Sequence, residues 1–154
     1  YEEQSATVTL GAAGTASTTE LFLRVFRAYV VNGQDPTDDV LIEANDGTDL
    51  AQITYPYNQT LMAQYTIPDG KTGYLVSGNL SSKKDKDIEA KLMFRPEGAA
   101  FQTKGVVLTP GTPFQREWIV PPQVPARTDI EIRAKAGAAG PVAAGFELIL
   151  VDDN

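Results

Sequence analysis

The closing segment of the chain, residues 128–151, constrains the fold more than any other feature, because it holds two strongly patterned stretches joined by a Gly/Ala connection. In the first stretch apolar and charged residues alternate strictly. Successive side chains of a strand point to opposite faces, so this alternation predicts a strand with one buried and one solvent-exposed face. The buried face would hold Ile130, Ile132 and Ala134, and the exposed face Glu131, Arg133 and Lys135.

The second stretch differs from the first in having two apolar faces. Phe146, Leu148 and Leu150 repeat the alternation, but Ile149 and Val151 occupy the other face. A strand that is apolar on both faces is typical of one that is covered on both sides or pressed against a partner. The final strand is therefore where we expect a neighbouring subunit to bind.

Similar apolar stretches recur along the chain between Gly- and Pro-containing turn signals. Glycine supplies the positive φ of tight turns and proline presets φ at the first turn position, so these breakers separate strands. No stretch shows a convincing helical period, and the pattern is typical of an all-β, antiparallel sandwich or barrel of about 8–10 strands. The predicted strands are 6–10, 21–31, 40–44, 61–67, 72–80, 87–95, 102–108, 115–120, 129–136 and 146–151.

Composition limits the classes of function. A chain of 154 residues suits one domain, so we expect a single β-sandwich domain over 1–154. Its net charge of −7, without a long basic run, argues against direct nucleic-acid binding, and no apolar run is long enough to span a membrane. Without His or Cys the usual general base, the commonest metal ligand and disulfides are missing. We therefore expect no enzymatic activity, cofactor or metal.

Two short motifs match a catalytic or a metal-binding pattern only in part. Ser81 and Lys84 match the Ser-x-x-Lys spacing of Ser/Lys enzymes, but they lie in a polar connection, where a solvated hairpin tip is the better interpretation. The segment 45–49, Asn-Asp-Gly-Thr-Asp, resembles part of a calcium loop. Because the full twelve-residue spacing is missing, a turn at Asp46-Gly47 is favoured, and a surface cation stays an alternative.

Aromatic residues suggest a further possibility. Trp118, together with Tyr55, Tyr57 and Tyr65, could line a sugar-binding groove on a β-sandwich. A single Trp followed by Ile-Val is more often part of a core or a subunit interface, which is the interpretation we favour.

Several of these segments together resemble a module of virion structural proteins of tailed bacteriophages, many of them aquatic or marine. The similarity runs from about residue 7 to the end of the chain. It implies a β-sandwich of jelly-roll type on the virion surface, and the module often closes a longer polypeptide, as a chain beginning at Tyr1 also suggests. The segments that carry the resemblance are 21–25, 61–75, 92–96, 128–134 and 146–152.

From the resemblance and the composition we expect a capsid cement, or decoration, protein. It would form a homo-oligomer, expected to be a trimer, and bridge major capsid proteins on the outer surface of the head after assembly in the host cytoplasm. Such a protein needs interface area and complementarity rather than a reactive centre. The alternative is the head domain of a tail spike or fibre that binds a host-surface glycan. The predicted interface residues are Phe101, Phe114, Trp118, Ile119, Ile149 and Val151.

Overall fold

The computed structural model describes residues 1–31, 35–82, 87–137 and 140–153. Over these ranges the chain forms ten strands and no helix, and every strand pair is antiparallel. The strands are β1 (Val40–Glu43), β2 (Asp49–Ile53), β3 (Gln64–Thr66), β4 (Lys71–Ser82), β5 (Asp87–Pro96), β6 (Gln102–Pro110), β7 (Phe114–Glu117), β8 (Gln123–Val124), β9 (Thr128–Ala136) and β10 (Val142–Asp152).

The chain divides into two compact units, residues 1–62 and 63–154. In the first unit, the described residues form the hairpin of β1 and β2 and an isolated bridge between Tyr29 and Gln59. The predicted strands at 6–10 and 21–31 are therefore wrong, because alternation gives a strand only where a partner supplies hydrogen bonds. The prediction of one domain over 1–154 stays a prediction.

The second unit is a sandwich of two antiparallel sheets. One sheet has the order β10-β4-β7, with β8 also paired to β4, and the other has the order β3-β9-β5-β6. The predicted all-β antiparallel sandwich is confirmed, whereas the jelly-roll subtype stays a prediction. Strands β6 and β10 each pair with a single described strand, so each presents a sheet edge.

Two clusters of apolar side chains fill the sandwich. The first contains Ile67, Leu75 and Ile130, all fully buried, with Phe94 and Val124. Both sheets contribute to it, which explains why the inward-facing positions of β4, β5 and β9 are apolar. The second cluster contains Leu80, Ile88 and Ala90.

Strand β9 departs from its predicted pattern at both ends. Ile130 is buried as expected, but Asp129 and Glu131 are buried too, and Ala134 is exposed. Asp129 accepts hydrogen bonds from Thr66 Oγ1 at 2.6 Å and from Arg95 Nε at 2.7 Å. Glu131 forms an ion pair with Arg133. The outward face of the first half of β9 is thus a polar network, and the predicted fully solvent-exposed face was wrong there.

Gly73 in β4 lies so close to the core that a side chain at this position would clash with it. A Cβ added there would lie 2.5 Å from Cδ1 of Ile67, which is fully buried and has little room to move. We expect Gly73→Ala to lower the free energy of unfolding by about 1–3 kcal/mol through overpacking. Gly105 in β6 is the matched control, because nothing lies within 4 Å of its added Cβ.

Gly105→Ala should leave the free energy of unfolding unchanged or raise it by up to about 1 kcal/mol, because alanine loses less backbone entropy in a strand. Denaturant unfolding of both variants measures the two effects. Equal destabilisation by the two substitutions would contradict the close-approach argument.

Candidate subunit interface

The outward face of β10 carries an exposed apolar row at the edge of its sheet. Ile149 is 55% exposed and Val151 is 47% exposed, while Leu148 and Leu150 pack against the first core cluster. Among the described residues of the unit 63–154, the second apolar face of β10 is therefore left partly exposed. Of the two interpretations that the sequence allowed, burial on both sides within the chain does not apply to the described structure, and pressing against a partner stays a prediction.

The neighbouring strand β4 extends this row. Tyr74 pairs with Ile149 and Thr72 with Val151, and Ser77 Oγ donates to Glu147 Oε2 at 2.8 Å. Directly paired residues of an antiparallel pair lie on the same face, so these side chains share the outward surface. The result is a small apolar patch with a carboxylate at one end.

Residues 118–120 place a half-buried aromatic next to exposed aliphatic side chains. Trp118 packs against the first core cluster, and the Arg116 guanidinium lies 5.1 Å from the centre of its ring. Ile119 is 102% exposed, and Val120 is also exposed. Trp118 thus packs against the core, one of the two placements that its sequence context favoured, and its predicted interface role stays a prediction. Ile119 is exposed.

The two phenylalanines predicted for the interface are differently placed. Phe114 packs against the second core cluster, so its main contacts lie within the chain. Phe101 lies under two guanidinium groups, those of Arg95 at 4.6 Å and Arg133 at 4.7 Å from its ring centre. Of the six predicted residues, Ile149 and Val151 share the outward face of β10, and the other four lie outside that strand. Their role in an interface stays a prediction.

A second exposed apolar row lies on edge strand β6 and was not predicted as an interface. Val106 is 53% exposed and Leu108 is 75% exposed. A β-bulge at Lys104 precedes them, because Leu92 pairs with Gly105 and Met93 with Thr103. The signal was present in the sequence, because Val106 and Leu108 alternate with Gly105 and Val107. Alternation alone could not show that the face of β6 with Val106 and Leu108 would be the exposed one.

The proposed sugar-binding aromatics have different surroundings. Tyr65 and Trp118 are both partly buried against the first core cluster. Tyr55 and Tyr57 belong to the unit of residues 1–62 and are exposed there. Two of the four rings, those of Tyr65 and Trp118, therefore pack against the core. The glycan interpretation stays a prediction.

The segment suggested as a calcium loop forms the turn between β1 and β2. Asp46 Oδ1 accepts a hydrogen bond from the Thr48 backbone N–H at 3.0 Å. Hydrogen bonding from the Thr48 side chain, followed by this backbone bond, holds the pKa of Asp46 below its ordinary value. Gly47 takes a positive φ of 80°. Segment 45–49 therefore forms a turn at Asp46-Gly47.

Lys84 of the Ser-x-x-Lys motif lies outside the described residues.

An ionic cluster joins the turn after β3 to the start of β9. Arg127 donates to both carboxylate oxygens of Asp69, from Nε at 2.8 Å and from Nη2 at 2.7 Å, and it also donates to Glu97 at 3.1 Å. The hydrogen bonds from Arg127 lower the pKa of Asp69, and the two carboxylates raise that of Arg127. Arg127 has a positive φ of 56°, so the cluster holds an uncommon backbone conformation.

The Asp69 carboxylate should make stability depend on pH. Because its pKa in the folded chain lies below the ordinary value of 3.8, its contribution is present above about pH 4 and is lost as the pH falls through the folded pKa. We expect Asp69→Asn to lower the melting temperature near pH 7 and to converge with the unmodified chain towards pH 2. Melting curves from pH 2 to 7 test this, with Asp35→Asn as a control that should shift melting less. A constant gap between Asp69→Asn and the unmodified chain would contradict it.

The described part of the chain contains no cluster of three or more acidic side chains that could hold a metal ion. In the same ranges, no helix is long and apolar enough to cross a membrane.

Comparison with protein-family models, curated proteins and solved structures gave no match to the chain. The two exposed apolar rows are therefore the basis for a functional proposal.

Proposed function

We propose that this chain is a structural protein of a tailed-bacteriophage virion, and specifically a capsid cement protein on the outer surface of the head. It would oligomerise, bridge neighbouring major capsid proteins and hold the shell against the pressure of the packaged genome. The observation that carries the proposal is the exposed apolar row on edge strand β10, where Ile149 and Val151 are about half exposed.

Two further features support a binding role. An edge strand leaves backbone N–H and C=O groups ready to pair with another chain, and soluble proteins usually protect such edges with charge. In β10 the outward positions near the end of the strand are aliphatic instead. The net charge of −7 suits the outside of a head better than a surface that faces packaged DNA.

The resemblance to virion modules is the reason that the proposal names a capsid as the partner. An exposed edge with apolar side chains is consistent with many kinds of protein partner. The resemblance selects the capsid surface among them, and the sandwich fold agrees with what it implies.

The copy number of the chain per particle is the decisive measurement. Virions of the encoding phage are purified, and the band of this protein is compared by gel densitometry with that of the major capsid protein. Hundreds of copies per particle are expected for a cement protein. A few to a few tens of copies would contradict the head location and favour the tail-spike or fibre alternative, for which glycan-array binding that is lost in Trp118→Ala is the next test.

A further inference from the structure

We propose that residues 6–10 of one copy add as a strand to the free edge of β10 in a second copy. The inference rests on the proposed role of β10 as a subunit interface, and it names the segment that covers that strand. It brings together two parts of the chain that stay unpaired in the single copy. One has the pattern of a strand, and the other is an open sheet edge.

Residues 6–10 have the sequence pattern of a strand but no partner. The apolar residues Ala6, Val8 and Leu10 alternate with two threonines, and Val8 and Leu10 are about half exposed. All residues from 1 to 23 are exposed, and no backbone hydrogen bond joins residues 6–10 to another described residue. Valine and threonine favour strands. What this segment lacks is therefore a strand to pair with.

Strand β10 is an open edge of the sheet β10-β4-β7. Among the described strands it pairs with β4 alone, and it runs for eleven residues. The bulge in this pair lies on β4 at Val76, because Glu147 pairs with Ser77 and Leu148 with Leu75. β10 itself is therefore regular, and its free edge can accept a strand through main-chain hydrogen bonds.

The other edges of the sandwich are less suited to accept a strand. β3, β7 and β8 have only three, four and two residues. β6 is longer, but it carries a bulge at Lys104. Shortness, bulges and lysine side chains are features by which proteins protect sheet edges, so β10 is the edge left unprotected.

The side chains match when the apolar row of the segment lies on the outward face of β10. There Val8 and Leu10 continue the row of Ile149 and Val151, which are about half exposed in the single copy. Opposed aliphatic residues on one face stabilise a strand pair. Either strand direction allows this arrangement, because a shift of one residue in register exchanges the faces. The pairing thus covers the aliphatic row that the single copy leaves exposed.

Charge favours this contact between two copies of an acidic chain. The net charge is −7, and like charges brought together oppose association. Residues 4–19 and 148–151 contain no charged residue. The two elements can therefore meet without placing one carboxylate against another and without removing a charge from water.

The chain that follows the segment is long enough for exchange between copies. Residues 11–23 are all exposed and form no strand. Fully extended, they span at most about 45 Å. Residues 6–10 can therefore extend away from their own subunit to a neighbouring one.

Pairing of two different elements has a consequence for symmetry. A heterologous interface generates a closed ring when its rotation closes and an open filament when it does not. Every copy has one such segment and one β10 edge, so a ring uses all of them and leaves none exposed. The expected trimer is the ring of three copies.

Cysteine cross-linking tests the pairing directly, because the chain has no cysteine of its own. Cα atoms of opposed residues in a strand pair lie roughly 4.5–5.5 Å apart, within the separation that a disulfide spans. Val8→Cys copies are mixed and oxidised with copies that carry Glu147→Cys, Ile149→Cys or Val151→Cys. We expect at least one of these mixtures to exceed, about tenfold or more, the yield of Val8→Cys with Ile119→Cys, since Ile119 is fully exposed outside both elements.

Thr7→Cys is the matched control for the face of the strand. Thr7 is the neighbour of Val8, so in a strand its side chain points to the opposite face, and it should cross-link less with the same three positions. Thr7→Cys that cross-links as well as Val8→Cys would overturn strand pairing. Mixtures of Val8→Cys that stay at the Ile119→Cys background would overturn the contact itself.

A chain that carries both cysteines distinguishes exchange between copies from pairing within one copy. Val8→Cys is combined with the best β10 position, and the oxidised product is separated on a non-reducing gel. We expect covalent oligomers. A monomer with an internal disulfide would overturn the exchange.

An aspartate in the segment gives a measurement without cross-linking. Val8→Asp should weaken self-association about tenfold or more by sedimentation equilibrium, because the carboxylate would lose water among aliphatic side chains. Leu21→Asp is the matched control and should leave self-association unchanged, since Leu21 is 84% exposed and lies outside both elements. Equal weakening by the two variants would overturn the pairing. So would an unmodified chain that is monomeric at about 100 μM, a concentration that reveals even weak association.

These measurements need no virion, so they separate the two proposals. Cross-linked oligomers with only a few copies per particle would contradict the cement role and keep the pairing. Hundreds of copies per particle together with a monomeric chain in solution would do the reverse.

Discussion

Replacing Ile130 with alanine should lower the free energy of unfolding by about 2–5 kcal/mol. Ile130 lies in the first half of β9, is fully buried and belongs to the core cluster that both sheets share. Removing its outer carbons deletes their transfer free energy and leaves a cavity that rigid, paired strands can close only in part. Denaturant unfolding followed by tryptophan fluorescence measures the loss, since Trp118 packs against the same cluster.

Ile119→Ala is the matched control, because the same side-chain atoms are removed from a fully exposed position. Its effect should stay within about 0.5 kcal/mol, as for most surface substitutions. Comparable losses in the two variants would mean that Ile130 is not part of a packed core.

Replacing Ile149 with aspartate should dissociate the proposed oligomer without unfolding the subunit. In the single chain Ile149 is 55% exposed, so a carboxylate there stays hydrated and should change the free energy of unfolding by less than about 1 kcal/mol. In an interface the same carboxylate would be desolvated among aliphatic side chains, which costs several kcal/mol. We expect self-association to weaken by about a hundredfold or more, measured by light scattering coupled to size exclusion.

Leu41→Asp is the control for placing a carboxylate at an exposed aliphatic position, since Leu41 lies on β1 and is 48% exposed. It should leave self-association unchanged. An Ile149→Asp variant that keeps the oligomeric state of the unmodified chain would show that β10 does not form the interface.

The strands that could be predicted from sequence are those whose alternation is matched by a neighbouring strand. In β5 the alternation puts Ile88, Ala90, Leu92 and Phe94 on one face of the strand. Ile88, Ala90 and Phe94 are buried, and Leu92 is partly buried against the first core cluster. The turn at residues 68–70 also lies where its Pro-Asp-Gly sequence indicates, with a positive φ of 68° at Gly70. Both signals are local, because side-chain alternation and turn conformation depend on a few consecutive residues.

The strands that were predicted wrongly or missed depend on whether a partner strand is present. Residues 6–10 alternate clearly but form no strand, whereas β2, with the less regular sequence Asp-Leu-Ala-Gln-Ile, is held by pairing with β1. The two-residue strand β8 likewise exists because Val124 and Gln123 pair with β4. Pairing supplies the hydrogen bonds, and no local pattern reports whether a partner is present.

The sequence by itself determined an all-β, antiparallel sandwich, and it marked the final strand as apolar on both faces. Tertiary structure decided which strands lie at the edges, and hence that Ile149 and Val151, with Val106 and Leu108, remain exposed. It also decided that Glu131 is buried on a face that alternation had assigned to solvent. The physical reason is that alternation defines two faces of a strand, whereas only the pairing and stacking of sheets determines which face and which edge are covered.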